Sequence, residues 1–395
     1  MKTVIERTEQ LQRLYPDMVR WRRHMHQYPE LSFHEVNTAR WIAEQLKVIG
    51  CEVKEEIGGH GLVVDIVGGK PGPVVALRAD IDALPIQDEK SCEYSSTVPG
   101  VMHACGHDGH TAGLLAVAAY YEQNKDQLEG VRRLLFQPAE ETTPGGAIRM
   151  IEAGALEGAH VIYGVHLWTP LPYGQISTKP GPFMAATDEF TIHIIGRGGH
   201  GGMPQDTVDT VLVGSAFVQA VQSIVSRSVN PLHSAVVTIG AFQAGTANNV
   251  IAEKCQLKGT IRSFDPDTRK RIYRRLEDIL EHVCRMYGAS WELDLRVGYP
   301  AVVNDDREAG RCLEAAADIV GADSVVTADA LMVAEDFSYY LDRIPGCFTF
   351  VGAGNPACGA AYPHHHPKFD LDERAMVHAA QFLIHSAESY TAQWI

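Results

Sequence analysis

The run His103-Ala-Cys105-Gly-His107-Asp108-Gly-His110 gathers thiol, imidazole and carboxylate groups, with glycines between them. Such soft and borderline donors on a pliable loop suit Zn²⁺ or another first-row divalent ion. Cys105 and His107, two positions apart, can reach one ion from a turn. The same residues also read as a nucleophilic cysteine with a histidine base, or as a small buried cysteine in a loop that caps a helix. Glu140 and Glu141 are adjacent, and adjacent residues of an extended chain point in opposite directions. One carboxylate of such a pair can hold a metal while the other moves a proton from water. Two glutamates at a loop end are also ordinary solvated residues.

These groups share a setting. Asp80 and Asp82 follow an apolar run in LRADIDALP, Glu140 and Glu141 in LLFQPAEE, and His166 in VIYGVHLW. His364, His365 and His366 follow a Gly-rich loop after another apolar run. In open α/β sheets, ligands bind beyond the carboxyl ends of the strands. Several strands sending titratable residues to one edge argue for a metal site there. The supply exceeds what one four-coordinate structural ion needs, and fits one or two catalytic ions with open positions.

The elements that position these residues alternate. Residues from about 4 to 26 and 34 to 48 have helical spacing, with Gly50 as a stop. Strand-like runs lie near Cys51–Val53, Gly61–Val67, Val74–Leu77, Val131–Phe136 and Val161–Leu167. His110–Tyr121 reads as a buried helix and Ala147–Ala153 as a shorter one. The segment LPYGQISTKPGPFM, rich in proline and glycine, breaks the rhythm and predicts a domain boundary near Pro182. A β-α-β-β-α-β order follows: Asp188–Ile195, Thr207–Ser226 with Asp206 as N-cap, Ser234–Phe242, Glu253–Ser263, Pro266–Tyr287 and Trp291–Val297. That is the ferredoxin-like order. The first rhythm returns with a helix at Arg307–Ile319, a strand at Cys347–Val351 and a helix at Arg374–Ser389. The expectation is an α/β domain with a mostly parallel sheet, residues 1–182 and 300–395, interrupted by an inserted α+β domain of residues 183–299.

Composition narrows the function. The 395 residues carry 34 Lys and Arg against 49 Asp and Glu, a formal charge of −15. Such a balance disfavours phosphate backbones and anionic membrane surfaces. No apolar run is long enough to span a bilayer. The eight cysteines are scattered without a paired framework, and the amino-terminal segment is polar and helical. The expectation is a reduced cytoplasmic protein that binds neither nucleic acid nor membrane.

Together the motifs RRHMHQYPELSFHE, LRADIDALPIQDE, MHACGHDGHTAGLL, FQPAEE, GVHLW, GRGGHGGMPQDTVD, GTANNVIAE, GTIRSF, AEDFSYY and HHPKFDLDE resemble the M20 metallopeptidase family. The likeness is to its amidohydrolase branch, which includes N-acyl-amino-acid amidohydrolases, hippurate hydrolases and plant indole-acetyl-amino-acid hydrolases. It spans residues from about 21 to 373. The resemblance implies a catalytic domain with one or two divalent ions (Zn, Mn, Co or Ni) and an inserted lid that pairs subunits as a homodimer or homotetramer. It implies hydrolysis of the amide in small N-acyl-L-amino acids. Carried over, Cys105, His107, Glu141, His166 and His365 match the metal ligands, the last because Pro367 completes a His-x-Pro pattern. Glu140 matches the general base, and Asp82 a carboxylate that orients a ligand histidine. His200 resembles a lid histidine that stabilises the oxyanion, and Asn249 and Arg262 lid residues near the substrate carboxylate. Thr142, Thr143 and Pro144 stand where the family has a glycine-rich loop, and Gly201 and Gly202 where it has alanines. A dipeptidase or aminopeptidase, a metal- or ligand-binding protein without catalysis, and a redox role for Cys105 are the competing readings.

Overall fold

A computed structural model describes residues 4–327 and 329–394. The chain divides into two compact units. The first takes in Met1–Phe183, Val302–Asp329 and Asp336–Ile395; the second takes in Met184–Ala301 and Ala330–Glu335.

The first unit is built on an eight-stranded sheet. Its order is Val53–Ile57, Gly61–Val67, Glu129–Gln137, Lys70–Asp80, Val161–Pro172, Gly346–Gly354, Ile176–Thr178 and Val325–Thr327. The four strands from Glu129–Gln137 to Gly346–Gly354 pair in parallel, with antiparallel pairs flanking them. In Lys70–Asp80 every residue from Val75 onward is buried, as expected of a parallel strand covered on both faces. Val75, Leu77 and Ala79 join the apolar core beneath the helices Val4–Gln27, His107–Asn124 and Ala375–Ala392. Their alternates Arg78 and Asp80 face the other way.

The helix His107–Asn124 begins three residues before the apolar pattern suggests, because Gly106 takes a left-handed φ of 91° and turns the chain into it. It is buried from His107 to Tyr121, so it has no solvent face to mark its phase. Its close approach to the sheet needs Gly109, where a Cβ would lie 2.6 Å from Leu167 Cδ1. The first strand runs over Val53–Ile57, later in the chain than the apolar Cys51–Val53. Part of the Pro- and Gly-rich segment, expected to be irregular, forms the strands Ile176–Thr178 and Gly181–Met184.

The second unit has a four-stranded antiparallel sheet ordered Ala235–Ala244, Lys254–Ser263, Ala186–Ile195, Ser290–Val297. Phe190, Ile192, Ile194, Leu257 and Ile261 pack with Val213 and Phe217 of the helix Thr210–Val221 and with Ile272, Leu276 and Leu280 of Pro266–Tyr287. Pro266–Tyr287 keeps its expected bounds: Pro266 opens the first turn and Gly288 closes at φ 75°, and the structure adds Asp265, whose side chain accepts from Thr268 N. Thr210–Val221 corrects its signal. Asp209, not Asp206, accepts from Val211 N and Leu212 N. Asp206 lies in a separate 3₁₀ turn, Pro204–Asp206, and Val208 is taken by a bridge to Arg197 before the helix can start.

Candidate metal centre

At the carboxyl edge of the first sheet, parallel strands and one helix start converge. His107 opens its helix, Glu140 and Glu141 follow the strand ending at Gln137, and His166 lies in Val161–Pro172. His364 and His365 follow the strand ending at Gly354. Donor atoms of Cys105, His107 and Glu141 all lie within 4.8 Å of one another, as do those of Cys105, His166 and His364. Cys105 is common to both groups, with its Sγ 3.4 Å from His166 Nε2. Glu140 Oε2 is 4.0 Å and Glu141 Oε1 3.8 Å from His107 Nε2. His365 Nε2 is 3.4 Å from Glu141 Oε1.

The imidazoles of His107, His166 and His364 are held from behind. His107 Nδ1 faces the carbonyl of Asp82 at 2.9 Å and its Oδ1 at 3.1 Å, which turns Nε2 toward the cluster. Asp82 Oδ2 accepts from Ser32 Oγ at 2.7 Å and Glu141 N at 3.0 Å. His166 Nδ1 lies 3.1 Å from the Leu167 carbonyl. Leu167 N donates to His110 Nε2 at 2.8 Å, and His110 Nδ1 sits 2.6 Å from Asp80 Oδ1. Arg78 donates to Asp80, Gln137 and Asp336 beneath, all fully buried. His364 Nε2 accepts from Thr169 N at 3.2 Å, and its ring stacks on Trp168.

This support leaves a specific deficit. His107 Nε2, Glu141 Oε1 and His364 Nδ1 are buried without a hydrogen-bond partner. Leaving such atoms unsatisfied costs roughly 1–3 kcal/mol each. One sulfur, several imidazole nitrogens and a carboxylate around common points are the donor set of a divalent first-row ion, and the residues fit that group.

The electrostatics agree. Burial pulls His107 down, yet Asp80, Asp82 and Glu141 push it up to about 10. Burial, then His110 and His364, hold His166 well below the ordinary imidazole range. Burial, reinforced by Glu141, Glu140 and Asp80, holds the Cys105 thiol well above its ordinary range. Carboxylates that oppose a thiolate nucleophile are the natural neighbours of a cation, whose charge reverses that balance.

The structure separates the other members of the cysteine-histidine run. Asp108 turns to Arg22 Nε at 2.9 Å and His26 Nδ1 at 2.7 Å, and His103 stands fully buried with neither ring nitrogen partnered. In the second unit, His200 and Asn249 meet in a small ribbon: His200 pairs with Val250, and Gly201 N donates to the Asn249 carbonyl at 2.8 Å. Arg262 lies instead on the strand Lys254–Ser263, donating to Thr260 Oγ1 and the Ile261 carbonyl. The His-x-Pro pattern points to His365, whose Nε2 does reach Glu141, and the structure adds His364 as a cluster member. Nothing in a tract of three histidines marks which one turns inward, and the stack on Trp168 emerges only from the fold.

Fold and centre define a metal-dependent amide hydrolase that works with divalent ions. The chain belongs to the family described as peptidase family M20/M25/M40, matching its model over residues 76–389. It is similar to YhaA of Bacillus subtilis strain 168, 49% identical over 385 residues that cover 98% of this chain and 97% of that protein. It is similar to the N-acyl-L-amino acid amidohydrolase of Geobacillus stearothermophilus, 46% identical over 290 residues, 73% of this chain and 78% of that protein. Among solved structures, YXEP of Bacillus subtilis, a dinuclear metal-binding peptidase of the M20 family, matches with a TM-score of 0.84. It is 34% identical, with 97% of this chain and 99% of that chain covered. No helix among the described residues is long and apolar enough to cross a membrane.

Proposed function

We propose that this enzyme hydrolyses the amide bond of N-acyl-L-amino acids, releasing a carboxylic acid and a free amino acid. The observation that carries the reading is a recess of about 350 Å³ beside Glu141, walled by Leu31, Ala83, Leu84 and Pro85 and lined also by Ser32, His34 and Thr142. Apolar walls next to a charged cluster suit an uncharged acyl group, whereas a free dipeptide would bring a charged amine. Thr142 opens the loop that departs from the family's glycines, so that loop tunes which acyl group enters. The Geobacillus relative supports the same substrate class.

In this reading Cys105, His107, Glu141, His166 and His365 hold one or two ions of Zn, Mn, Co or Ni, with His364 beside them. Bound ions polarise the scissile carbonyl and acidify the attacking water. Glu140 takes the water's proton and returns it to the leaving nitrogen. Asp82 keeps His107 oriented through Nδ1. His200, from the same subunit or its partner, stabilises the oxyanion, and Asn249 and Arg262 receive the substrate carboxylate. The second unit serves as a lid and as the contact of a homodimer or homotetramer, for which its exposed Val211, Leu212 and Leu232 supply apolar surface.

The test is hydrolysis of a panel of N-acetyl and N-benzoyl amino acids and free dipeptides, before and after chelation and metal re-addition. Chelator-sensitive release of amino acids from acyl substrates is expected. Cleavage of free dipeptides alone would favour a dipeptidase, and no turnover with metal bound would favour a binding protein.

A further inference from the structure

Glu35 is fully buried and caps the start of the helix Val36–Ile49, yet its carboxylate makes no bond to that helix. Its Oε1 accepts instead from Phe33 N at 2.9 Å, two residues back, and from Ala139 N at 2.8 Å, far along the chain. Both residues hold left-handed backbone, at φ 67° and 53°. That region is unfavourable for residues with a Cβ and persists only where the surroundings impose it. Ala139 immediately precedes Glu140. On the other side of Glu140, Asp82 Oδ2 accepts from Glu141 N and Ser32 Oγ. Two carboxylates thus tie residues 32–33 to residues 139–141, one on each side of Glu140. Glu35 Oε2 is buried without a partner, so the side chain is held by what Oε1 binds.

We propose that Glu35 is a positioning residue for Glu140: by accepting the Ala139 amide it enforces the left-handed turn that aims the Glu140 carboxylate at the cluster. The proposal rests on the reading of Glu140 as the proton carrier. Glu35 touches neither substrate nor a metal ligand, and acts through one backbone unit. Misplacing a reacting group by about an ångström costs on the order of 100-fold in rate.

The experiment compares Glu35→Ala, Glu35→Gln, Ala139→Gly and the double variant Glu35→Ala/Ala139→Gly in metal-loaded protein. Metal content, kcat, KM and amide hydrogen exchange across residues 137–146 are read together. E35A is expected to lower kcat about 10- to 100-fold, with KM within about threefold of wild type and metal content unchanged. Exchange of the 137–146 amides should rise. E35Q keeps the accepting oxygen and should hold most of the rate. Glycine accepts a positive φ freely, so A139G in the E35A background should recover part of the loss. Unchanged kcat and exchange in E35A would overturn the proposal, as would loss of metal in step with rate, or no recovery from either E35Q or A139G. If E35A does not fold, Glu35→Asp replaces it, since an aspartate is one methylene too short to reach both amides. Glu140→Gln in the same series tests the underlying reading. Wild-type turnover there would remove Glu140's role, while the exchange data would still judge the Glu35 clamp.

Discussion

The two units treat their polar residues in opposite ways. In the first, most candidate residues are buried and the inner ones are braced: Asp82 behind His107, Asp80 behind His110, Arg78 and Asp336 beneath both, with His365 the exposed exception. In the second, the sheet buries one face only, and His200, Asn249 and Arg262 hang on a short ribbon and one strand with mostly backbone partners. A braced group is built to hold one geometry through a reaction, where small displacements are costly. A lightly braced group is suited to grasping and releasing. The contrast supports the proposed division, with chemistry in the first unit and substrate capture in the second.

Glu140→Gln should break the first half most deeply: kcat falls about 10²–10⁴-fold with metal content unchanged, read by steady-state kinetics and elemental analysis. Asp82→Ala should weaken metal affinity about tenfold, measured by competition with a chelator, because His107 keeps the residue-82 carbonyl but loses the carboxylate beside its Nδ1. Arg262→Ala should act on the other side of the contrast. It should raise KM about tenfold with kcat nearly kept, as expected when one charge-assisted hydrogen bond is lost. If R262A instead lowers kcat and spares KM, the division between the units fails. Gly109→Ala should destabilise the first unit by about 1–3 kcal/mol in denaturant unfolding, because the new methyl overlaps Leu167.

A further effect concerns pH. Burial, with Asp82 adding, raises Glu35 from its ordinary 4.5 to about 7. The folded chain therefore binds a proton that the unfolded chain has released between those values. Stability from this group is full below about pH 4.5 and is lost as pH rises toward 7, by at most about 3 kcal/mol. Glu35→Gln should flatten that part of the stability profile. An identical slope in E35Q would show that other groups set it.

Much of this was legible in the residues. Apolar runs followed by Asp or Glu announced two strand ends, while the strand holding His166 runs on to Pro172; Pro266 and Gly288 bracketed a helix whose bounds the structure repeats. What stayed hidden depends on distant pairing. Ile176–Thr178 is a strand because Gly346–Gly354 and Val325–Thr327, both far along the chain, pair on either side of it, so its proline- and glycine-rich context read as irregular. Asp206 and Asp209 are equally good caps locally, and the Arg197–Val208 bridge chooses between them. Glu35 carries no sign of its reach to Ala139, which lies more than a hundred residues away.

The place of Gly346–Gly354 also bears on how the chain assembles. Val161–Pro172 and Ile176–Thr178 are near neighbours in sequence, yet this late strand sits between them, parallel to one and antiparallel to the other. During synthesis the gap stays open until the ribosome has passed the whole second unit, whose own sheet is continuous in sequence apart from a short returning segment. The sheet and the His364–His365 side of the centre are thus completed in one late event. Such distant pairing is slow, and it leaves strand edges exposed in the meantime. Truncations before Gly354 should yield an aggregation-prone chain, and metal supplied during refolding should favour the closed sheet to the extent that it binds the His364 side of the centre.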